Sequence, residues 1–307
     1  MIKKMYLGDL RTEPVFAKIE QLVSQHNIYL FLSKNNVLEY VGSGTLCTFI
    51  GLKGIITAAH VLQPICKKIS EYEKAIYIRH SITATDYTKI TWDRVKSLDD
   101  WELLDPRSGW SEKNLDIAFI ELGDEVFANL INENKKCAVD IDAFIKTYNL
   151  NPSEFNNTSN YNNWIWAISG VTKEDFDLFT NEKRTIKNET FLGGPDKIIR
   201  CKLKRTARIF TKYKNAQTDL IVIPIKGTED VLPFFYNCLS GAGVWQIRLN
   251  ENLEIAELFF CGVFVAASEK KSKLYARGHI SLYSVFCKFL EDLKHSSNTN
   301  ELSNKTI

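Results

Sequence analysis

Most of this chain is written in short runs with the two-residue period of β-strands, and the runs fall into two blocks. In the first block, residues 28–32, 38–50, 54–58, 75–79, 87–95 and 116–122 are rich in Ile, Val, Tyr, Phe and Thr and are separated by polar, turn-forming residues. Such residues suit a pleated, half-buried surface, and about six strands are enough to close one small barrel. A second block of the same character covers 164–169, 185–192, 198–213, 220–225, 244–247, 258–267 and 274–280. It predicts a second barrel of similar size.

Helical spacing is confined to the ends and the middle of the chain. Over 14–26, Val15, Ile19, Leu22 and Val23 share one face, with Thr12 placed to cap and Pro14 in the first turn. Between 124 and 151 the pattern is mostly helical, through Val126, Leu130 and Ile131, and it runs into the Asn-rich stretch 156–163, which reads as the linker. Near the end, Ser281 is placed to cap a stripe of Leu282, Val285, Phe286, Phe289, Leu290 and Leu293. The expected fold is therefore all-β: two six-stranded antiparallel β-barrels packed face to face, with a short N-terminal helix and a C-terminal helix. The expected division is an N-terminal extension with its helix over 1–26, a first barrel over 27–150, a second over 151–280, the closing helix over 281–294 and a loose tail over 295–307.

Composition narrows the class. At 307 residues with 45% hydrophobic and 25% charged, the chain has enough apolar material for a large core. A formal charge of +2 is too small to imply a polyanionic partner, and no apolar run approaches the length of a membrane span. The start carries positive residues but breaks into Gly8, Asp9 and Arg11 before an apolar region develops, so export is not expected. Seven widely spread cysteines without metal-ligand spacing suit reduced thiols, and a cytoplasmic location is expected. The glycosylation-like patterns at Asn156 and Asn188 then read as polar loop sequence.

Three segments carry chemistry: Gly54-Ile-Ile-Thr-Ala-Ala-His60, Leu115-Asp116-Ile-Ala-Phe-Ile120 and Cys238-Leu-Ser240-Gly-Ala-Gly243. A serine hydroxyl is a weak nucleophile until a base takes its proton, and the base needs a buried carboxylate to hold its tautomer and stabilise the imidazolium. His60, Asp116 and Ser240 are placed for these roles. The small residues before His60 let a strand end turn sharply, Asp116 enters a buried strand, and the glycines after Ser240 permit a tight turn. The backbone N–H groups of Cys238 and Ser240 would face the oxygen on which charge develops.

These segments, in the order His, Asp, Ser, together with Gly42-Ser-Gly-Thr45, Phe260-Cys-Gly-Val-Phe264 and the final helix, resemble a trypsin-like serine peptidase of the chymotrypsin fold, of the intracellular bacterial type. The likeness spans roughly residues 28–293, and its Ser motif is a variant. It implies a triad in the cleft between two barrels and a substrate pocket lined by Phe234, Val265, Ala266 and His279. With Arg277, His279 would favour an acidic or amide side chain; the competing reading is a polar strand residue facing solvent. Phe234 carries no charge, so cleavage after Lys or Arg is not implied.

Two departures stand out. Leu239 cannot form the ion pair with a freed N-terminus that switches on secreted relatives, so activation by N-terminal trimming is not expected. Cys238 occupies a position that often needs glycine's backbone freedom, so the oxyanion hole is expected to form only with substrate or a partner bound. Cys238 as a thiol nucleophile competes with the reading as a buried small side chain, and register favours Ser240.

The expected activity is a serine endopeptidase acting on a protein or peptide, with no metal and no organic cofactor, restrained by an activating or regulatory protein partner; proteins of this kind can sit in bacterial regulatory or defence systems. The alternative is a catalytically silent double barrel that binds a peptide or protein in the former cleft. The basic run 197–214 holds eight Lys or Arg residues but alternates with apolar ones, as a strand with one wet face does, so neither nucleic acid nor a membrane is expected as a partner.

Overall fold

A computed structural model describes residues 14–66, 71–81, 84–99, 114–150, 164–171, 190–193, 204–209, 216–224, 239–250, 252, 254–267 and 273–304. Helix α1 (Pro14–Ser24) buries Val15, Ile19 and Val23, one residue per turn on a single face. Strand β1 (Asn27–Lys34) then pairs antiparallel with β2 (Val37–Phe49) through a two-residue turn in which Asn35 and Asn36 have φ of 49° and 64°. Positive φ at both central residues matches the right-handed twist of the flanking strands, and asparagine tolerates it.

The first sheet is completed by β3 (Leu52–Thr57), β4 (Tyr72–Arg79), β5 (Thr88–Thr91), β6 (Val95–Ser97), β7 (Ala118–Glu121) and β8 (Val139–Asp140). Its order is β5-β4-β1-β2-β3-β7-β6, with β8 parallel to β2. The two end strands, β5 and β6, are joined only by the turn Trp92–Arg94. Three residues span about 10 Å at most, so the sheet must curl until its edges nearly meet.

Helices α2 (Asp124–Asn132) and α3 (Ile141–Leu150) follow, flanking β8, where one helical stretch was expected. The second sheet holds β9 (Trp164–Ser169), β10 (Thr190–Gly193), β11 (Lys204–Ile209), β12 (Ala216–Pro224), β13 (Gly243–Leu249), β14 (Ile255–Ala267) and β15 (Lys273–Arg277), in the order β10-β9-β13-β14-β15-β12-β11. Its end strands β10 and β11 are again consecutive in the chain.

The protein is mostly β, with a curled first sheet, a second sheet and a helix at each end, as expected, but the first sheet has eight strands and the second seven. The extra strands in the first arise because the run 87–95 breaks at Trp92 to cross between sheet edges, and because β8 adds a short parallel pairing. The run 274–280 ends as a strand at Arg277, where Gly278 turns the chain into a π-helical turn (Ile280–Phe286) and α4 (Cys287–Asn304). The stretch expected as a loose tail is thus helical as far as Asn304. Ser281 does not cap with its side chain; its hydroxyl donates to Asp219 O at 2.9 Å and accepts the Asp219 amide at 3.0 Å, binding the turn to β12. The linker at 156–163 lies outside the described residues.

Both sheets contribute to one core: Leu30, Leu46 and Phe119 of the first join Trp245, Phe260 and Val263 of the second. Polar bonds cross the same seam, from Asn27 Nδ2 to Ser169 Oγ at 2.5 Å and from the Tyr40 hydroxyl to Val171 O at 3.0 Å. Among the described residues no helix is long and apolar enough to cross a membrane.

Candidate active site

His60 sits on the 3-10 turn Ala59–Leu62 that follows β3. Ala58 and Ala59 are fully buried there, so only small side chains fit where the strand turns. Asp116 grips the histidine twice: Oδ2 lies 2.8 Å from His60 Nδ1, and Oδ1 accepts the His60 backbone N–H at 2.9 Å. With Nδ1 as the donor, Nε2 is left as the basic nitrogen. Asp116 is 1% exposed and has φ 54°, a left-handed conformation that Asp tolerates better than most residues.

Burial opposes a charged His60 ring, but the Asp116 carboxylate, by charge and by hydrogen bond, outweighs it and raises the pKa above the ordinary value. Beside this pair stands Asp99, which accepts the amides of Leu115 and Asp116, each at 2.7 Å. The residue keeps an edge open to solvent, yet its carboxyl is desolvated. Burial and the neighbouring Asp116 charge push it up to about 7.

The Ser240 turn is held by its backbone. Ala242 N–H donates to Leu239 O at 2.9 Å, Gly241 N–H to Phe264 O at 2.8 Å, and Ser43 N–H to Ser240 O at 2.9 Å. Gly241 has φ 87°, and a Cβ there would collide with Ser43 O and Thr57 Oγ1. At Gly42 a Cβ would stand 2.8 Å from Ser240 O and 2.9 Å from Val61 Cγ1. Gly42 therefore fits between the serine turn and Val61, the residue that follows His60, where there is no room for a side chain.

The three segments converge, but the hydroxyl is turned aside. Ser240 Oγ donates to Val265 O at 3.4 Å, and among the described residues no hydrogen bond joins it to His60. Val265 thus lies beside Ser240, and Ala266 is the next residue along β14. His279 lies elsewhere: β15 runs antiparallel to β14 with Arg277 opposite Val263, which carries His279 away from Val265. Its ring is buried 3.7 Å from Asp219, because the turn at Gly278 folds it against that carboxylate. The reading of His279 as a solvent-facing strand residue fails for the same reason, and Arg277, also fully buried, donates to Asn114 O. Phe234 and Cys238 lie outside the described residues. Leu239 is fully buried, plugged among Ala242, Val244 and Phe264 where a carboxylate would be stranded.

Sequence reading missed Asp99 as part of this site, and it set Arg277 beside His279 in the substrate pocket, whereas the side chain lies against Asn114. Asp99 falls in Ser97-Leu-Asp-Asp100, which looks like any polar turn, and Arg277 sits in a strand that reads as alternating. Among the described residues no cluster of three His, Cys, Asp or Glu side chains could hold a metal ion.

No family model matches the chain, and no curated protein matches it in sequence. Solved structures with a similar chain path include a catalytically inactive tobacco etch virus protease complexed with substrate (8% identity, 89% of this chain and 85% of that one, TM-score 0.38). Others are a Glu endopeptidase in complex with MPD (13%, 88% and 91%, 0.41) and the thermostable serine protease AL20 from an extremophilic microorganism (12%, 83% and 91%, 0.40). At such distances the chemistry has to be read from the site's own residues.

Proposed function

We propose that the protein is a serine endopeptidase in which His60 acts as general base and then acid, Asp116 orients it, and Ser240 is acylated. The observation that carries this reading is the double grip of Asp116 on His60, with only Gly42 between the serine turn and Val61. That grip fixes the tautomer in which Nε2 accepts a proton, and it stabilises the imidazolium formed when the serine attacks. The proton leaves Ser240 for Nε2 as Oγ bonds to the scissile carbonyl, and the same proton passes to the departing amine. Water then repeats the sequence on the acyl-enzyme. The amides of Cys238 and Ser240 are proposed as the oxyanion donors. Val265 and Ala266 would line the substrate strand beside them, and a protein partner or signal is proposed to control the cleft in an intracellular setting.

A second reading is favoured by one observation, the bond from Ser240 Oγ to Val265 O. If that orientation persists, the protein is a silent double barrel that binds a peptide in the cleft. A fluorophosphonate probe separates the two. Labelling that disappears in Ser240→Ala and is strongly reduced in His60→Ala supports the peptidase; absence of labelling, with and without peptide in the cleft, supports the binding protein.

A further inference from the structure

Asp116 makes its contacts from a left-handed backbone, which a non-glycine residue keeps only where its surroundings over-determine it. The surroundings here are two charges from different sheets. Asp99, two residues beyond β6, directs one carboxylate oxygen at each of two successive amides, Leu115 and Asp116. Successive amides turned the same way form a concavity suited to an anion. Arg277, at the end of β15, is fully buried and donates through Nη2 to the carbonyl of Asn114, the residue just before them. Its charge also favours the ionised form of Asp99. Ser97 Oγ completes the mounting, accepting the Asp99 amide at 3.1 Å and donating to Ile117 O at 3.2 Å.

We propose that Asp99 and Arg277 form a clamp on residues 114–116 that sets the aim of the Asp116 carboxylate, with Asp99 a positioning residue for His60. The proposal rests on the reading of His60 as the base. It assigns to the second sheet a share in tuning a pair that lies wholly on the first. It also makes the base sensitive to the ionisation of Asp99, whose facing charged groups are Asp116 and Arg277, with His60 beyond Asp116. Protonated, Asp99 gives up an acceptor oxygen and one of the two amides loses its partner. The clamp therefore loosens as pH falls through the range near 7 where Asp99 takes up its proton.

The test uses the full chain and two readouts, the titration of the His60 ring by NMR and the rate of fluorophosphonate labelling. Asp99→Asn keeps the shape but offers one acceptor oxygen and turns an amide N–H toward the second backbone donor. The expected result is a His60 pKa moved down towards the ordinary 6.5 and labelling slowed about 10- to 100-fold. Arg277→Met should shift both in the same direction by less. Wild-type values of both readouts in Asp99→Asn overturn the clamp. Should that variant fail to fold, the unaltered protein decides: a His60 titration that carries a second inflection from Asp99 supports the proposal, and a single-site curve overturns it. Asp116→Asn is the control that separates the two claims. If it leaves the His60 titration unchanged, the His60–Asp116 pairing has failed. If wild type is never labelled while Asp99→Asn still shifts the titration, the clamp stands and the peptidase reading falls.

Discussion

The His60–Asp116 arm and the Ser240 arm of the candidate site are built in different ways. Around Asp116, four hydrogen bonds of 2.7–2.9 Å fix both backbone and side chain, so the carboxylate and the imidazole have little left to choose. Around Ser240, every short bond is to backbone, and the hydroxyl rests 3.4 Å from Val265 O. Reorienting a buried ion pair is slow and costly, whereas a serine hydroxyl changes rotamer in picoseconds to nanoseconds where it has room. The preorganisation is placed where it is hard to restore, and the adjustable bond is left to the group that moves most easily.

Disabling either arm should have the largest effect. Ser240→Ala should abolish probe labelling, and Asp116→Asn should lower turnover of a peptide substrate about 10⁴-fold by releasing the tautomer. Unchanged proteolysis in Ser240→Ala would sink the assignment of the nucleophile. Next in size is Gly241→Ala, which adds a Cβ at positive φ against Ser43 O and Thr57 Oγ1. It should destabilise the fold by about 2–4 kcal/mol in urea denaturation, with labelling lost in whatever remains folded.

Away from both arms, Asp219→Ala should cost about 1–3 kcal/mol. It strands the buried Ser281 amide, which Asp219 accepts at 2.7 Å, and should leave the His60 titration where it is. A change in that titration would show that the terminal helix and the His60–Asp116 arm are coupled.

The smallest effects are those of pH, and two histidines should respond oppositely. His60 has a raised pKa, so labelling should climb with pH through a midpoint above 6.5, and Asp116→Asn should bring that midpoint down. Its contribution to stability is full below the unfolded value and is lost as pH rises through the folded one. Burial, aided by Lys136 and opposed by the bond to Cys137 O, lowers the pKa of His26 to about 4. The stability it contributes is present above 6.5 and lost as pH falls towards 4. A melting temperature that drops over that range in wild type and not in His26→Phe would confirm the sign.

The alternation of strand runs made the two-sheet architecture legible, and small residues ahead of His60 and after Ser240 marked the two turns. What sequence could not show was how distant segments complete each other. The run 87–95 reads as one strand because its propensity is continuous; only the closure of the sheet explains why it bends at Trp92. Asp99 and Arg277 acquire meaning only once β6 and β15 bring them to residues 114–116. His279 read as a candidate pocket residue because its neighbours are strand-like, and the turn at Gly278 that removes it depends on a carboxylate 60 residues upstream.

The shared core of the two sheets ties the chemistry to the lifetime of the whole fold. Trp245 and Phe260 of one sheet pack in the same cluster as Leu46 and Phe119 of the other, so neither sheet can open without exposing its neighbour's apolar face. The amides of Leu115 and Asp116, held by Asp99, should then be better protected from exchange with deuterium above pH 7, where Asp99 is ionised, than below it.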